Sequence, residues 1–292
     1  MFAGTFTALV TPFINDRVDE AAFERLIEGQ IAGGITGIVP VGTTGESPTL
    51  THVEHMRVIE LGVKIARGRC KVIGGTGSNS TAEAVEMTRE AERLGCDAAL
   101  LVAPYYNKPS QEGIFRHFAK IAEASKLPQI LYSIPGRCGV EIAVEAVRRL
   151  AKECPNIVAI KEAGGSVERV SALRAVLPPE FDILSGDDSL TLPFISASAC
   201  GVISVASNLI PRAVVELVAA ALAGQWDEAR RRHFEIYPLF KDLFIEANPV
   251  PVKYALSLRG EMSPEVRLPL CEMTDASKRK LEATLHNLQL IS

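Results

Sequence analysis

The sequence predicts an α/β chain, a (β/α)8 barrel followed by a helical C-terminal extension, on three observations. Short apolar runs rich in β-branched residues recur along the first three quarters of the chain. Between successive runs lie stretches whose apolar residues return at helical spacing, such as Phe23, Leu26, Ile27 and Ile31. After Ala223 the strand signal stops, and only helix-like stretches follow.

The eight runs are Thr5 to Val10, Gly37 to Val41, Lys71 to Gly74, Ala98 to Ala103, Gln129 to Ser133, Ile157 to Lys161, Phe181 to Ser185 and Gly201 to Val205. Near-continuous apolar strands separated by helices imply a parallel sheet covered on both faces. Eight such units within about 225 residues fit a closed barrel better than an open doubly wound sheet. The intervening helices carry their own signals. Val144, Val147 and Leu150 form one apolar face, and Thr51-His52-Val53-Glu54 reads as a capping box. Trp226 to Phe244, Val250 to Arg259 and Ser277 to Leu288 read as the helices of the extension. The expected division is a catalytic barrel over residues 1–224 and an extension over 225–292, with no low-complexity linker between them.

The bulk properties narrow the class of protein. Among 292 residues, 47% are apolar and 23% charged, as in ordinary globular chains. A net charge of -4 makes no electrostatic case for nucleic acid or an anionic membrane. Nothing after Met1-Phe2-Ala3-Gly4-Thr5-Phe6 resembles a secretory signal, and no apolar stretch is long enough for a membrane helix. Cys70, Cys96, Cys138, Cys154, Cys200 and Cys271 are scattered, without a Cys-x-x-Cys pair, so reduced thiols and a cytoplasmic location are expected. His52 and His55 share a helix face with no clear third ligand, so no metal site is expected.

In such a barrel the loops after the strands form one face and carry the chemistry. The sixth run, Ile157-Val158-Ala159-Ile160, ends in Lys161 before a Gly164-Gly165 loop. Burial at a strand end disfavours the charged amine, and a neutral amine is what attack on a carbonyl requires. Gly42-Thr43-Thr44-Gly45 offers a turn whose amides and hydroxyls suit a carboxylate. Tyr132, ending the fifth run, is placed to move protons to and from an imine, and Arg137 offers a planar fork for a second carboxylate. The lysine of a phosphate loop is missing, and Gly75-Thr76-Gly77-Ser78-Asn79-Ser80 lacks the third glycine of a dinucleotide fingerprint. No nucleotide cofactor is therefore expected.

Five stretches carry a family resemblance: Gly42-Thr43-Thr44-Gly45-Glu46-Ser47, Pro104-Tyr105-Tyr106-Asn107, Tyr132-Ser133-Ile134-Pro135-Gly136-Arg137, Ile160-Lys161-Glu162-Ala163 and Leu184-Ser185-Gly186-Asp187-Asp188. In this order, from about Phe2 onward, the chain resembles the dihydrodipicolinate synthases, within the pyruvate-dependent class I aldolases. The resemblance implies a lyase that joins pyruvate to L-aspartate 4-semialdehyde on the route to diaminopimelate and lysine, without metal or organic cofactor. It assigns Lys161 to the imine, Tyr132, Thr43 and Tyr106 to a proton relay, Thr43 and Thr44 to the pyruvate carboxylate, Gly186 and Ile203 to the pocket lining, and Arg137 to the semialdehyde carboxylate. It also implies a homotetramer, a dimer of dimers, in which Tyr106 reaches across a subunit interface.

Ser133 and Cys138 depart from the asparagine and threonine common beside the tyrosine and arginine, and both remain small and polar. In lysine-sensitive members, positions matching Ser47, His52, His55, Asn79, Glu83 and Tyr105 bind feedback lysine, although Pro48 departs from the usual alanine. Two other readings stay open: a sister aldolase acting on a sugar acid such as N-acetylneuraminate or 2-keto-3-deoxygluconate, and a metabolite-binding barrel without turnover.

Overall fold

A computed structural model describes residues 2–291. Eight strands form the barrel: β1 Gly4–Ala8, β2 Gly37–Val39, β3 Lys71–Gly75, β4 Ala98–Val102, β5 Gln129–Ser133, β6 Ile157–Glu162, β7 Asp182–Ser185 and β8 Gly201–Ser204. Each pairs in parallel with the next, and β1 closes on β8 with Gly4 opposite Gly201. The helices α1 Glu20–Ala32, α2 His52–Ala66, α3 Thr81–Leu94, α4 Gln111–Ala124, α5 Pro135–Cys138, α6 Val144–Glu153, α7 Val167–Val176, α8 Thr191–Ser196 and α9 Pro211–Leu222 lie between or after the strands. The capping box of α2 is formed, with Thr51 and Glu54 each satisfying the other's backbone N–H.

Strand alternation sorts the side chains into two cores. Phe6, Ile73, Leu100, Ile130, Ala159, Leu184 and Ile203 point inward and fill the barrel axis. Ile38, Leu101, Leu131, Ile160, Ile183 and Val202 point outward, under the helices. The axis is thus packed rather than hollow, and a ligand can enter only at its end.

Two strands, β1 and β2, stop two residues before their apolar runs do. Pro40 has no N–H for the ladder and Val41 takes a left-handed conformation (φ 52°), so β2 ends at Val39. After β1 the chain leaves the barrel for a small hairpin, Phe13–Ile14 paired with Arg17–Val18, which the sequence reading omits. Its turn residues, Asn15 and Asp16, both have positive φ, the conformation a two-residue hairpin loop demands.

The extension comprises α10 Trp226–Asp242, α11 Val250–Leu258 and α12 Asp275–Asn287. Its Leu239, Phe240, Val252, Leu256 and Leu281 share the outer core with Leu9, Val10 and Ile27 of the barrel. Fully buried Lys253 on α11 donates to the Glu46 carboxylate at 2.6 Å and the Thr11 carbonyl at 2.9 Å. The second Glu46 oxygen accepts the Arg267 N–H at 3.0 Å. These bonds fasten the loop after β2 to the extension. Among the described residues no helix is long and apolar enough to cross a membrane.

Candidate active site

Lys161 and Tyr132 are direct neighbours across β6 and β5. On β6, Ala159 and Lys161 face the barrel interior while Ile160 faces the helices, so Lys161 rises from the top of the apolar plug. Its ammonium nitrogen lies 4.1 Å from the centre of the Tyr132 ring. Lys161 is only 6% exposed. Burial brings its pKa from 10.5 down to about 7, against the upward pull of the Asp188 carboxylate, while the Arg137 cation adds to the lowering. The amine is therefore about half neutral at pH 7 instead of about one part in several thousand.

Tyr132 moves the other way. Burial pushes the phenol far above its ordinary range, only partly opposed by Arg137 and by a hydrogen bond with the Thr43 side chain. It is a protonated donor and acceptor at neutral pH, connected to a half-buried threonine hydroxyl. Thr44, next in the same loop, is buried, and its Oγ1 accepts an N–H from the Asn248 side chain at 2.9 Å. Arg137 stands on the short helix α5, exposed, and donates to the Asn248 carbonyl at 3.4 Å.

Gly186 begins the loop after β7. A Cβ there would stand 2.7 Å from the Ala163 Cβ and 3.0 Å from the Lys161 Cε, so any larger residue would press on the lysine. Ile203 belongs to the apolar plug with Tyr132 and Leu184. The structure thus brings Lys161, Tyr132, Thr43, Thr44, Arg137, Gly186 and Ile203 to one end of the barrel, around a buried amine.

Two residues join this set without having been singled out from the sequence. Asp188 is buried, and one carboxylate oxygen accepts the N–H groups of Val205 at 3.0 Å and Ala206 at 2.9 Å. Burial nevertheless raises its pKa to about 6, against the Ser204 side chain and these two N–H groups, which favour the carboxylate. A second acid beside Gly186, at the end of a barrel strand, was the available signal. Asn248 had none, because it lies 204 residues from its partner Thr44.

Tyr106 behaves differently. It is 89% exposed on a left-handed turn (φ 71°), so within one chain it is not packed into the Lys161 site. Of the expected regulatory positions, His52 contacts Glu83 and Asn79 contacts Tyr105. Glu83 pairs with His52 at 2.6 Å and accepts from Ser78, while Asn79 donates to the Tyr105 carbonyl at 3.2 Å. His55 is buried, its Nε2 2.7 Å from the Gly75 carbonyl, and burial lowers its pKa. Ser47 starts a single helical turn at the end of the Thr43–Thr44 loop. Gly75 needs no nucleotide to explain it, since a Cβ there would sit 2.5 Å from the Val41 carbonyl.

A neutral amine, a protonated phenol, hydroxyl donors and an arginine around one barrel mouth can form and cleave an imine of a keto acid. The model of the dihydrodipicolinate synthetase family matches residues 1–288. A protein of Geotalea daltonii named 4-hydroxy-tetrahydrodipicolinate synthase is 53% identical over 291 residues, the whole of both chains. The 4-hydroxy-tetrahydrodipicolinate synthase of Methylacidiphilum fumariolicum SolV superposes with a TM-score of 0.98 at 56% identity, covering 99% of this chain and 96% of that one. The Cyanidioschyzon merolae enzyme, solved with lysine bound, matches with a TM-score of 0.96 at 42% identity over 99% of each chain.

Proposed function

The chain belongs to the dihydrodipicolinate synthetase family, and we propose that it condenses pyruvate with L-aspartate 4-semialdehyde through an imine on Lys161. The observation that carries this reading is the buried Lys161 amine, with its pKa near 7, stacked on the Tyr132 ring.

The neutral amine attacks the pyruvate ketone, and Tyr132, linked to Thr43, passes the proton that lets water leave. Thr43 and Thr44 hold the pyruvate carboxylate. The protonated imine that forms is cationic, and the Asp188 carboxylate, which already favours the charged state of Lys161, stabilises it. Loss of a methyl proton gives the enamine, whose carbon adds to the aldehyde, and Arg137 receives the carboxylate of that second substrate. Gly186 and Ile203 shape the wall against which the imine lies.

The exposed Tyr106 completes the relay of a neighbouring subunit in a dimer of dimers working in the cytoplasm. The set of Ser47, His52, His55, Asn79, Glu83 and Tyr105 is a feedback site for L-lysine, with Glu83 meeting the ammonium. Its support is the His52–Glu83 and Asn79–Tyr105 contacts and the lysine-bound relative.

The test is condensation of pyruvate with L-aspartate 4-semialdehyde, followed through a coupled NADPH-consuming reductase. Turnover that disappears in Lys161→Ala is expected. No turnover by folded protein, with cleavage of N-acetylneuraminate or 2-keto-3-deoxygluconate instead, would transfer the chain to a sister aldolase. Pyruvate binding without borohydride-trappable imine would leave a binding barrel.

A further inference from the structure

Thr43 and Thr44 sit in a turn bracketed by two non-glycine residues in the left-handed region, Val41 (φ 52°) and Glu46 (φ 56°). A β-branched residue there is a steric outlier, so the surrounding contacts must hold it in place. On one side the hold is close packing. A Cβ on Gly45 would stand 2.9 Å from the Val41 Cα, and one on Gly75 would stand 2.5 Å from the Val41 carbonyl oxygen. On the other side it is a ring of hydrogen bonds. Lys253 donates to the Glu46 carboxylate and the Thr11 carbonyl, and the Thr11 hydroxyl donates to the Gly45 carbonyl at 2.7 Å. Gly45 and Glu46 are adjacent, so the ring closes on the residue that follows Thr44.

Neither charged side chain of the Glu46–Lys253 pair meets solvent. Taking two charges out of water offsets most of their attraction, and an apolar pair of similar volume often serves stability as well. What the ion pair adds is direction. The lysine nitrogen has two fixed acceptors, and the second carboxylate oxygen takes the Arg267 N–H at 3.0 Å, which together define one geometry for the turn.

Resting on the reading that Thr43 and Thr44 hold the pyruvate carboxylate, we infer that Glu46 and Lys253 are positioning residues for pyruvate: their ion pair, with Thr11, keeps the strained turn in the shape that receives the carboxylate. Without the pair the turn relaxes, and only the fraction still in the strained shape binds. Strain of the size carried by one left-handed residue makes that fraction on the order of one in ten to one in a hundred, and apparent affinity for pyruvate falls by the same factor.

The experiment measures the pyruvate concentration that half-saturates borohydride trapping, which needs no second substrate, and KM for L-aspartate 4-semialdehyde at saturating pyruvate. Urea unfolding establishes that each variant is folded. The double variant Glu46→Leu, Lys253→Met removes both charges together. Its pyruvate constant is expected to rise on the order of ten- to a hundredfold, while that for the semialdehyde stays within about threefold. Thr11→Val removes only the bond to Gly45 in a side chain of the same shape, and is expected to raise the pyruvate constant about three- to tenfold. It decides the matter if the double variant does not fold. An unchanged pyruvate constant in the folded variants, or equal weakening of both substrates, would overturn the inference and leave the pair as a tie between barrel and extension. No trapping of pyruvate by the unmodified protein would instead defeat the substrate reading itself.

Discussion

Replacing Lys161 by methionine is expected to stabilise the fold while abolishing imine formation, because a buried amine is kept for chemistry at a cost to stability. The unfolded lysine has a pKa near 10.5 and the folded one about 7. Between those values the unfolded chain binds more protons than the folded one, so the stability of the unmodified protein rises with pH through this window. The penalty is full below about 7 and vanishes above about 10.5. Linkage over these two pKa values gives a penalty of roughly 3 kcal/mol at pH 8 and roughly 1 kcal/mol at pH 10.

Methionine matches the lysine stem in length and volume and lacks the charge, so little cavity or strain offsets the gain. At pH 8 the folded lysine is already mostly neutral, so Asp188 loses no cation in the exchange. The assay is urea unfolding of both proteins at equal concentration from pH 8 to 10. The variant is expected to lead by about 3 kcal/mol at pH 8, with the lead shrinking steadily towards pH 10. A constant difference, or a methionine variant less stable at pH 8, would refute the depressed pKa and with it the explanation of the nucleophile. The rate of borohydride trapping of pyruvate provides the parallel reading, rising with pH around a midpoint near 7.

Tyr132→Phe removes the hydroxyl bound to Thr43 and is expected to lower kcat by about a hundredfold or more, as loss of a proton-transfer group does; a loss under about tenfold would take that role from Tyr132. Lysine is expected to inhibit, and Glu83→Ala to abolish the effect by removing the carboxylate for its ammonium; activity unchanged across millimolar lysine would end the regulatory reading. With a thiol reagent at pH 8, exposed Cys271 is expected to react first, because burial pushes Cys138 up to about 11 and Cys96 and Cys200 to about 12. Rapid labelling of Cys138 would show that the loop around Arg137 opens.

How far the site could be read in advance depended on how local its causes are. Lys161 was legible because four apolar neighbours mark its strand and two glycines follow closely. Tyr132 and Thr43 were legible for the same reason, one ending a strand and one standing between turn glycines. Asp188 was visible as an acid in the right loop, but its bonds to Val205 and Ala206 depend on β8 lying beside β7. The small hairpin after β1 escaped notice because two-residue strands carry almost no periodicity, although Asn15-Asp16 was a usable turn signal. His55 was legible only as sharing a helix face with His52, whereas packing against β3 buries it.

By itself the sequence determined the alternation of eight apolar strands with amphipathic helices, the loops that carry the chemistry, and the residue types available there. Those properties are written in neighbouring residues, through strand and helix periods and turn chemistry. Only the tertiary structure decided what each group can do. The amine of Lys161 is tuned by burial over the barrel plug and by Asp188 and Arg137 from other loops. The loop bearing Thr43 and Thr44 is held by Asn248, Lys253 and Arg267, all more than 200 positions away in the chain. Desolvation and hydrogen-bond direction depend on which surfaces meet, and closure of the barrel brings these together.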